Sequence, residues 1–487
     1  MNSMDRRLFL KSAVAGAMLK GMRPSLVAAD GSGAKRPNIV YFLIDDLGWA
    51  DVGYQGGPYK TPNIDRMALG GARLEQFYVL PVCSPTRAAL MTGRYPMRHG
   101  LQVGVVRPWA QYGLPLEERT LAQALKEAGY LTAICGKWHL GHFDPAYLPT
   151  RRGFDRQYGH YNGALDYFTH IRDGGFDWHR DDKVCRDQGY STELLARETV
   201  RIIEEHGGKR PLFLYVPFNA IHSPLQAPEK YMEPYRNMPE VKCTVGGMMA
   251  ALDEAIGQIV SALDRKGLRN NTLILFSSDN GGTKASAGNG PFRAGKATLY
   301  EGGVRVAAFA NWEGVIQPGT IVNEPLHIVD WYPTLLTVVG GSLEQKLPLD
   351  GKDIWPTITS GRPSPHEEIL LNATPTHGAI RVSNWKLVVG GNRPEAEQTQ
   401  EKEGEEKKAK RNKSQLASAD AALLYELFDL KSDPAEKNNL AATMPEKVKE
   451  LLARYEAYAK QAVPPKYQGS PGKGFKVPAV WGEEGIR

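Results

Sequence analysis

Short apolar runs of strand length alternate along this chain with segments whose apolar residues recur every three or four positions. Residues 39–44, 131–134, 211–218 and 272–278 predict strands, and the first is apolar throughout, as is typical of a strand buried on both faces of a parallel sheet. Between them lie two stripes of helical spacing, made of Leu121, Ala124, Leu125 and Ala128, and of Leu252, Ile256, Ile259 and Leu263. This repetition predicts an α/β fold with a large, mostly parallel sheet sandwiched by helices.

The pattern changes after about residue 365. Residues 379–389 and 425–430 predict further strands, and residues 445–461 predict a closing helix. Residues 393–422 are rich in Glu, Lys, Gln and Ala, which favours a mobile, solvated loop. We therefore expect a main α/β domain over residues 30–365 and a smaller C-terminal α+β subdomain over residues 366–487.

The first 29 residues have the layout of a bacterial export signal. Arg6 and Arg7 precede a short apolar segment at residues 12–19, and small residues before position 30 offer a cleavage site after Ala29. The arginine pair is similar to that of twin-arginine leaders, so we expect an exported protein, periplasmic or secreted. No segment reaches the roughly 18 apolar residues of a membrane span, and none is expected.

Net charge and cysteine count say little about the binding partners of this protein. The chain has a net charge of +6, but five basic residues and one acidic residue fall within the predicted signal, so the remainder is close to neutral and gives no indication of a nucleic-acid partner. Four cysteines in 487 residues are too few for a disulfide framework. If Cys83 serves another purpose, Cys135, Cys185 and Cys243 allow one bridge at most. The sequence does not indicate an oligomeric state.

Pairs of oxygen-bearing side chains follow two of the predicted strands where each strand ends. Asp45 and Asp46 follow the first strand, and Asp279 and Asn280 follow residues 272–278. An isolated pair of this kind is more often a turn or a helix cap. Because parallel strands end at one edge of a sheet, where α/β folds bind ligands, the two pairs together favour a single metal site. Carboxylate and amide oxygens suit Ca²⁺, with Mg²⁺ as the alternative.

Basic side chains follow the other two strands. Lys137 and His139 come after residues 131–134, and His222 lies just past residues 211–218. A lone histidine at such a place is more often structural than catalytic. Their predicted grouping beside the acidic pairs favours anion binding and proton transfer.

Cys83-Ser84-Pro85-Thr86-Arg87, followed by Leu90-Met91-Thr92-Gly93-Arg94, resembles the signature that directs conversion of a cysteine to formylglycine in type I sulfatases. Thr86 stands where that family often has serine or alanine. Further blocks carry the same resemblance, which within the family is closest to arylsulfatase B-like (N-acetylgalactosamine-4-sulfatase) enzymes: residues 129–141, 148–155, 279–282 and 295–305.

The resemblance implies an alkaline phosphatase-like fold with an antiparallel sheet in the C-terminal subdomain. It implies hydrolysis of sulfate esters by a formylglycine hydrate at position 83, through a sulfo-enzyme intermediate, after a formylglycine-generating maturation enzyme has acted. One hydroxyl of such a hydrate can attack while the other later expels sulfate, which a thiol cannot do.

Roles for individual residues also come from the resemblance. Asp45, Asp46, Asp279, Asn280 and residue 83 would bind the metal, and Arg87 would steady the hydrate. His139 would be the base in the elimination step, with Lys137 beside it. His222 and Lys296 would contact the sulfate and help to protonate the departing oxygen.

The substrate is less sharply indicated. Arg107, Arg151, His160 and Asp166, with Trp109, Asn162, Tyr167 and His170 near them in the sequence, have the mixture of charge and aromatic character that suits a sulfated sugar. The resemblance favours a 4-O-sulfated galactose or N-acetylgalactosamine. Two alternatives are a phosphate or phosphonate monoester hydrolase of the same superfamily and a non-catalytic protein that binds sulfated glycans. Endo or exo attack stays open.

Overall fold

The computed structural model describes residues 36–391 and 424–483. The predicted export signal at residues 1–29 and the predicted mobile loop at residues 393–422 lie outside the described residues. In chain order the strands are β1 (Asn38–Ile44), β2 (Ala72–Leu74), β3 (Phe77–Tyr78), β4 (Leu131–Lys137), β5 (Arg156–His160), β6 (Ile171–Arg172), β7 (Gly175–Phe176), β8 (His179–Arg180), β9 (Lys183–Val184), β10 (Leu212–Pro217), β11 (Thr272–Ser278), β12 (Arg305–Val306), β13 (Ala308–Asn311), β14 (Thr320–Val322), β15 (Leu326–His327), β16 (Glu368–Ala373), β17 (Gly378–Val382), β18 (Trp385–Val389) and β19 (Tyr425–Asp429).

The helices cover the sheets and connect their strands. In chain order they are α1 (Pro62–Leu69), α2 (Cys83–Thr92), α3 (Leu121–Glu127), α4 (Ser191–Glu205), α5 (Glu229–Met232), α6 (Glu240–Arg265), α7 (Glu301–Val304), α8 (Trp331–Val339), α9 (Trp355–Ser360) and α10 (Pro445–Ala459). No helix in these described ranges has the length and apolar character that a membrane crossing requires.

The main sheet has ten strands in the order β14-β2-β13-β11-β1-β10-β4-β5-β8-β9. Its centre is parallel, because β1 pairs with β10 and with β11, and β10 pairs with β4. Antiparallel pairs occur towards both edges, at β11–β13 and β5–β8. The predicted α/β class, with a large mixed and mostly parallel sheet, is confirmed.

Helices cover both faces of this sheet, as the alternation of side chains in β1 shows. Ile39, Tyr41 and Leu43 point into a core shared with α2, α3 and α8. The intervening residues of β1 point into a second core, shared with α1, α4 and α6. A strand buried on both faces must be apolar at every position, which explains the unbroken run in the sequence.

Helix α6 begins twelve residues before the apolar stripe from which it was predicted. The earlier turns contain Gly246 and Gly247, which weaken the helical signal in the sequence. Both glycines are packed closely. A Cβ on Gly246 would lie 2.5 Å from the ring of Tyr235, and one on Gly247 would lie 2.7 Å from Met232. The glycines therefore allow α6 to approach both the last residue of α5 and the segment that follows it.

The C-terminal sheet is antiparallel and has the order β16-β17-β18-β19. Residues 379–389 form most of a hairpin, β17 and β18, which turns at Ser383, where φ is 52°. Leu451 of α10 packs with the residues on one face of this sheet. The other face, which includes Val388 and Phe428, packs against Tyr78 and Tyr300 of the main body.

A buried ionic cluster joins the C-terminal sheet to the main body. The Nζ of Lys386, in β18, lies 3.0 Å from Glu301 Oε1 and 2.8 Å from Glu436 Oε1, and all three side chains are buried. Glu436 also accepts the backbone N–H of Glu301 at 2.6 Å. Burial, together with the charge of Glu301, raises the pKa of Glu436 to about 7 even though Lys386 opposes the shift.

Candidate active site

The carboxyl ends of the central strands bring the predicted polar residues together. Asp45 and Asp46 leave the end of β1, and Asp279 and Asn280 leave the end of β11, its direct neighbour in the sheet. Lys137 is the last residue of β4, and it reaches across β10 to Asp45. The parallel register therefore gathers residues from distant parts of the sequence at one edge.

Cys83 is the first residue of α2 and is almost fully buried. Its Sγ lies 3.6 Å from Asp45 Oδ1. The Thr86 hydroxyl accepts the N–H of Leu80 at 3.0 Å and lies 3.2 Å from the carbonyl of the same residue, to which it donates, so this threonine fixes the turn that enters α2. Burial raises the pKa of the Cys83 thiol to about 12, so an unmodified cysteine would be a neutral thiol here.

Arg87 lies one helical turn after Cys83 and points into the acidic group. Its Nη2 and Nε donate to Asp279 Oδ2 at 2.7 and 3.2 Å, and its Nη1 donates to the carbonyl of Lys137 at 3.0 Å. The same guanidinium lies 3.8 Å from Asp45 Oδ2. Arg87 therefore holds α2 against two strand ends.

Asp45 and Lys137 form a fully buried ion pair, with 2.6 Å between Oδ2 and Nζ. Burial and the charge of Asp279 nevertheless raise the pKa of Asp45 to about 7, although Lys137 opposes the shift. One lysine and one arginine therefore do not offset the cost of grouping these carboxylates in a buried site.

Asp46 has a different environment. Its Oδ1 lies 2.8 Å from Lys296 Nζ and accepts a hydrogen bond from Asn280 Nδ2 at 2.8 Å, and its Oδ2 lies 3.7 Å from His222 Nε2. Although burial opposes the shift, Lys296 and His222 hold the pKa of Asp46 below its usual range. Asp46 is therefore ionised at neutral pH.

Hydrogen bonds to carbonyl groups fix the tautomers of both predicted histidines. His139 Nε2 lies 3.0 Å from the carbonyl of Val106, and His222 Nδ1 lies 2.6 Å from the carbonyl of Ser223. A carbonyl can only accept, so each of these nitrogens carries the proton. Burial lowers the pKa of His139, and burial followed by Lys296 lowers the pKa of His222 to about 3. Both rings are therefore neutral, with His139 Nδ1 and His222 Nε2 left to accept a proton.

The donor atoms fit a hard divalent cation. One ligand atom each from Asp45, Asp46, Cys83 and His222 lies within 4.8 Å of the others. Asn280 Oδ1 is buried and has no hydrogen-bond partner among the described residues. The oxygens of Asp45, Asp46 and Asn280 are the donors that Ca²⁺ or Mg²⁺ prefers, and a cation there would offset the repulsion that contributes to the raised pKa of Asp45.

Asp279 lies beside this group of donors. Its Oδ1 accepts the N–H of Asp46 at 3.3 Å, and its Oδ2 accepts two hydrogen bonds from Arg87. The sequence did not indicate that Asp279 holds Arg87 in place. His222 belongs to the donor group as well as to the cavity wall, because its Nε2 lies 3.7 Å from Asp46 Oδ2.

A cavity of about 540 Å³ opens above the acidic group. Six of the residues singled out in the sequence line it: Asp46, Cys83, Arg107, His139, His222 and Lys296. Sequence reasoning missed several other lining residues, which include Arg172, Ser223, Thr283 and Lys284. Gly163 was missed as well, and a Cβ there would lie 2.4 Å from the imidazole of His139, so only glycine leaves room for that ring.

Of the eight candidate substrate residues between Arg107 and His170, Arg107 lines this cavity in the described part of the chain and the other seven do not: Trp109, Arg151, His160, Asn162, Asp166, Tyr167 and His170. The Arg151 side chain is mostly exposed and lies 3.9 Å from Asp182. His160 is fully buried, donates to the carbonyl of Asn162 and stacks on Trp178. Asp166 accepts the backbone N–H groups of residues 168 and 169 and so stabilises a turn.

The sulfatase family profile matches residues 37–341, which is more than half of the chain. This chain belongs to the sulfatase family. It is 37% identical over 466 residues to arylsulfatase J of mouse, covering 90% of this chain and 78% of the relative. It is 35% identical over 353 residues to N-acetylgalactosamine-6-sulfatase of mouse, covering 67% of each chain. The protein is an enzyme, a sulfuric ester hydrolase.

Solved structures agree with this assignment. The sulfatase shares its fold, with a TM-score of 0.78 and 30% identity, with Ps i-CgsB, whose crystal structure was solved in complex with k-i-k-neocarrahexaose. The match covers 90% of this chain and 95% of that one. The alkaline phosphatase-like fold expected from the resemblance is confirmed, whereas a specific closeness to arylsulfatase B stays a prediction.

Proposed function

We propose that this sulfatase hydrolyses sulfate esters of a sulfated carbohydrate through a formylglycine hydrate at position 83 and a sulfo-enzyme intermediate. The observation that carries the proposal is the position of Cys83, which begins α2 with its Sγ 3.6 Å from Asp45 and lines the same cavity as His139, His222 and Lys296. The machinery falls within the predicted main domain, residues 30–365, and the predicted subdomain, residues 366–487, would close one side of the cleft.

The proposed cofactor is Ca²⁺, with Mg²⁺ as the alternative. Asp45, Asp46, Asn280 and residue 83 would hold it, and Asp279 would act at its edge while orienting Arg87. When bound, the ion would polarise the sulfate oxygens and favour the ionised form of the hydrate.

The protein groups around the cavity supply cations and a base. His139 carries its proton on Nε2, so its Nδ1 is placed to remove a proton in the elimination step, with Lys137 as a fixed buried cation beside it. Lys296 would bind the sulfate. An anionic sulfate placed between Lys296 and His222 would raise the pKa of His222, so that its Nε2 could deliver a proton to the departing oxygen.

The substrate we propose is a 4-O-sulfated galactose or N-acetylgalactosamine unit of a glycan. The name of the N-acetylgalactosamine-6-sulfatase relatives supports the type of sugar, and the oligosaccharide bound to Ps i-CgsB supports a glycan. The 4-position of the sulfate rests on the resemblance to arylsulfatase B-like enzymes, since the relatives' name gives the 6-position. Arg107, Arg172 and Lys284 add cations around the cavity. Export to the periplasm or outside the cell, where glycans are met, is part of the proposal.

Two experiments test the chemistry. Peptide mass spectrometry over residues 72–87 should show replacement of the Cys83 thiol by a carbonyl, and the Cys83→Ala variant should lose sulfate release while staying folded. Cys135→Ala, which alters an equally buried cysteine in β4, is the matched control and should keep its activity. An active Cys83→Ala variant would overturn the proposal.

The alternatives are separable by substrate. Comparison of 4-nitrophenyl sulfate with 4-nitrophenyl phosphate distinguishes a sulfatase from a phosphate or phosphonate monoester hydrolase, and we expect the sulfate to be preferred. A non-catalytic glycan-binding protein would have no need of the lysines and histidines that line this cavity, and it would turn over neither compound.

A further inference from the structure

A second cavity adjoins the catalytic one. It has a volume of about 320 Å³, and the two cavities share Arg107, Pro108 and Arg172 as lining residues. Its remaining wall comes mostly from residues 469–481, close to the C-terminal end of the described chain, and we call it the tail cavity. A volume of this size lies at the low end of the roughly 300–1,000 Å³ typical of small-molecule sites.

Backbone and side-chain hydrogen bonds hold this wall in place. Phe176 donates its N–H to the carbonyl of Ala479 at 2.9 Å, and Trp481 donates its N–H to the carbonyl of Phe176 at 2.9 Å. The indole of Trp481 is fully buried and donates to the carbonyl of Arg172 at 2.8 Å. Phe475 stacks on Trp481 at a centroid distance of 6.3 Å. The tail cavity is thus a built surface.

Arg107 stands in the partition between the two cavities and has unused donor capacity. It is 6% exposed, and its Nη2 donates to the hydroxyl of Tyr467 at 3.2 Å. Its guanidinium lies 5.9 Å from the ring centre of Trp109, which keeps it among aromatic rings. Its Nε is buried without a hydrogen-bond partner among the described residues. A buried donor of this kind calls for an acceptor from a ligand.

The chemistry of the tail cavity suits an anionic sugar. Two arginines face one acid, Asp173, whose Oδ2 lies 3.1 Å from Arg172 Nε. Trp109 and Phe475 are half-buried, so each leaves part of a ring exposed in the cavity. Guanidinium groups bind sulfate and carboxylate oxygens in a planar arrangement, and aromatic rings cover the apolar face of a sugar.

We propose that the tail cavity binds the sugar residue next to the one that loses its sulfate, and that Arg107 and Arg172 recognise an anionic substituent on that second sugar. This rests on the proposed function. The preferred substrate is then an oligosaccharide with an anionic group on each of two adjacent residues, because contacts remote from the reacting bond add to transition-state stabilisation.

Rates on a graded set of substrates test this proposal. We would measure kcat/KM for 4-nitrophenyl sulfate, galactose 4-sulfate, and galactan disaccharides with one or two sulfates. The doubly sulfated disaccharide should exceed galactose 4-sulfate by about tenfold or more. Trp109→Ala and Phe475→Ala should each remove most of this preference while they change the rate on 4-nitrophenyl sulfate by less than about twofold.

Trp312→Ala is the matched control. Trp312 is half-buried and donates its indole N–H to a backbone carbonyl, as Trp109 does, but it lines neither cavity. It should leave the preference intact. Equal rates on the monosaccharide and both disaccharides would overturn the proposal. So would a preference for the doubly sulfated disaccharide that survives in both Trp109→Ala and Phe475→Ala. In either case, turnover of 4-nitrophenyl sulfate would still uphold the sulfatase activity. Failure of every substrate, 4-nitrophenyl sulfate included, would overturn the proposed function and this inference together.

Discussion

Arg87 directs two donors, Nη2 and Nε, at the same oxygen of Asp279, and both side chains are fully buried. The pair ties the helix that begins at Cys83 to the strand end that carries Asn280. Because neither side chain is exposed to bulk solvent, the contact fixes the distance between the nucleophile position and the acidic group more firmly than a surface ion pair could.

Arg87→Met should therefore destabilise the fold as well as abolish activity. Removing Arg87 leaves the buried Asp279 carboxylate without its cationic partner, while Asp45 keeps Lys137, and this costs about 3–5 kcal/mol of unfolding free energy. Urea denaturation in the presence of a chelator measures the change. Arg236→Met, at an exposed ion pair with Glu233, is the control and should cost less than about 1 kcal/mol. If Arg87→Met lost no more unfolding free energy than Arg236→Met, this account would be wrong.

Metal removal should lower both activity and thermal stability. A cation at 100 times its dissociation constant adds about 2.7 kcal/mol to the folded state if it binds that state alone. Differential scanning fluorimetry with chelator, Ca²⁺ and Mg²⁺ should show a metal-dependent rise in Tm that Asp46→Asn removes. Asp253→Asn alters a buried acid on α6 that accepts the N–H groups of Asn63 and Ile64. This control should have a lower Tm but keep the metal-dependent rise. If the rise in Tm with metal were the same in Asp46→Asn and Asp253→Asn, the metal would not bind at the assigned site.

His139→Gln should reduce kcat by about 10²–10⁴-fold, the usual contribution of a positioned acid or base. The fold should survive, because the glutamine amide nitrogen takes the place of His139 Nε2 and can still donate to the carbonyl of Val106. His99→Gln is the control, since His99 is buried but outside the catalytic cavity. If steady-state kinetics showed the two variants to be equally active, His139 would not be the base.

The Glu436 cluster should make stability depend on pH. The pKa of Glu436 is about 7 in the folded protein against an ordinary value of 4.5, so its protonated form is favoured by folding. This contribution is fully present below pH 4.5 and is lost as the pH rises through 7. Between pH 4.5 and 8, the free energy of unfolding of Glu436→Gln should therefore rise relative to that of the wild type by on the order of 1–3 kcal/mol. Denaturant titrations at several pH values measure this, with the exposed Glu446→Gln as control, and parallel curves for all three proteins would refute it.

Replacement of both Arg6 and Arg7 by lysine should retain the protein in the cytoplasm if the leader is of the twin-arginine type. Such a route carries folded cargo, so the retained precursor should already contain formylglycine at position 83. Cell fractionation followed by peptide mass spectrometry checks both points. Thiol in the retained precursor, with aldehyde only in exported wild-type protein, would contradict this order of events.

The sequence was most informative where burial was complete on both faces of the sheet. β1 and β11 were placed to within a residue because their apolar runs are unbroken, and the strand-end rule then gathered Asp45, Lys137 and Asp279 correctly. Helix α6 was predicted too short because two close-packed glycines have no apolar side chain to register in a periodic pattern.

The outer parts of the cavity could not be read from the sequence. Arg172 reaches it from the two-stranded β6–β7 sheet and Lys284 from the loop after β11, and neither segment has a hydrophobic period. Arg151 and Asp166 were chosen for their chemical type, but local ion pairs and turns direct their side chains elsewhere. The wall after residue 469 joins the site only through tertiary contacts, which no local pattern records.

The order of strands in the sheet has a consequence for biosynthesis. β1 cannot complete its pairing until β11 has been translated, and β11 ends about 195 residues after Cys83. At ~5–20 residues per second, the ribosome needs roughly 10–40 s for that stretch. During this interval the central sheet lacks β11, so the proposed maturation enzyme would meet a Cys83 side chain that the finished protein encloses.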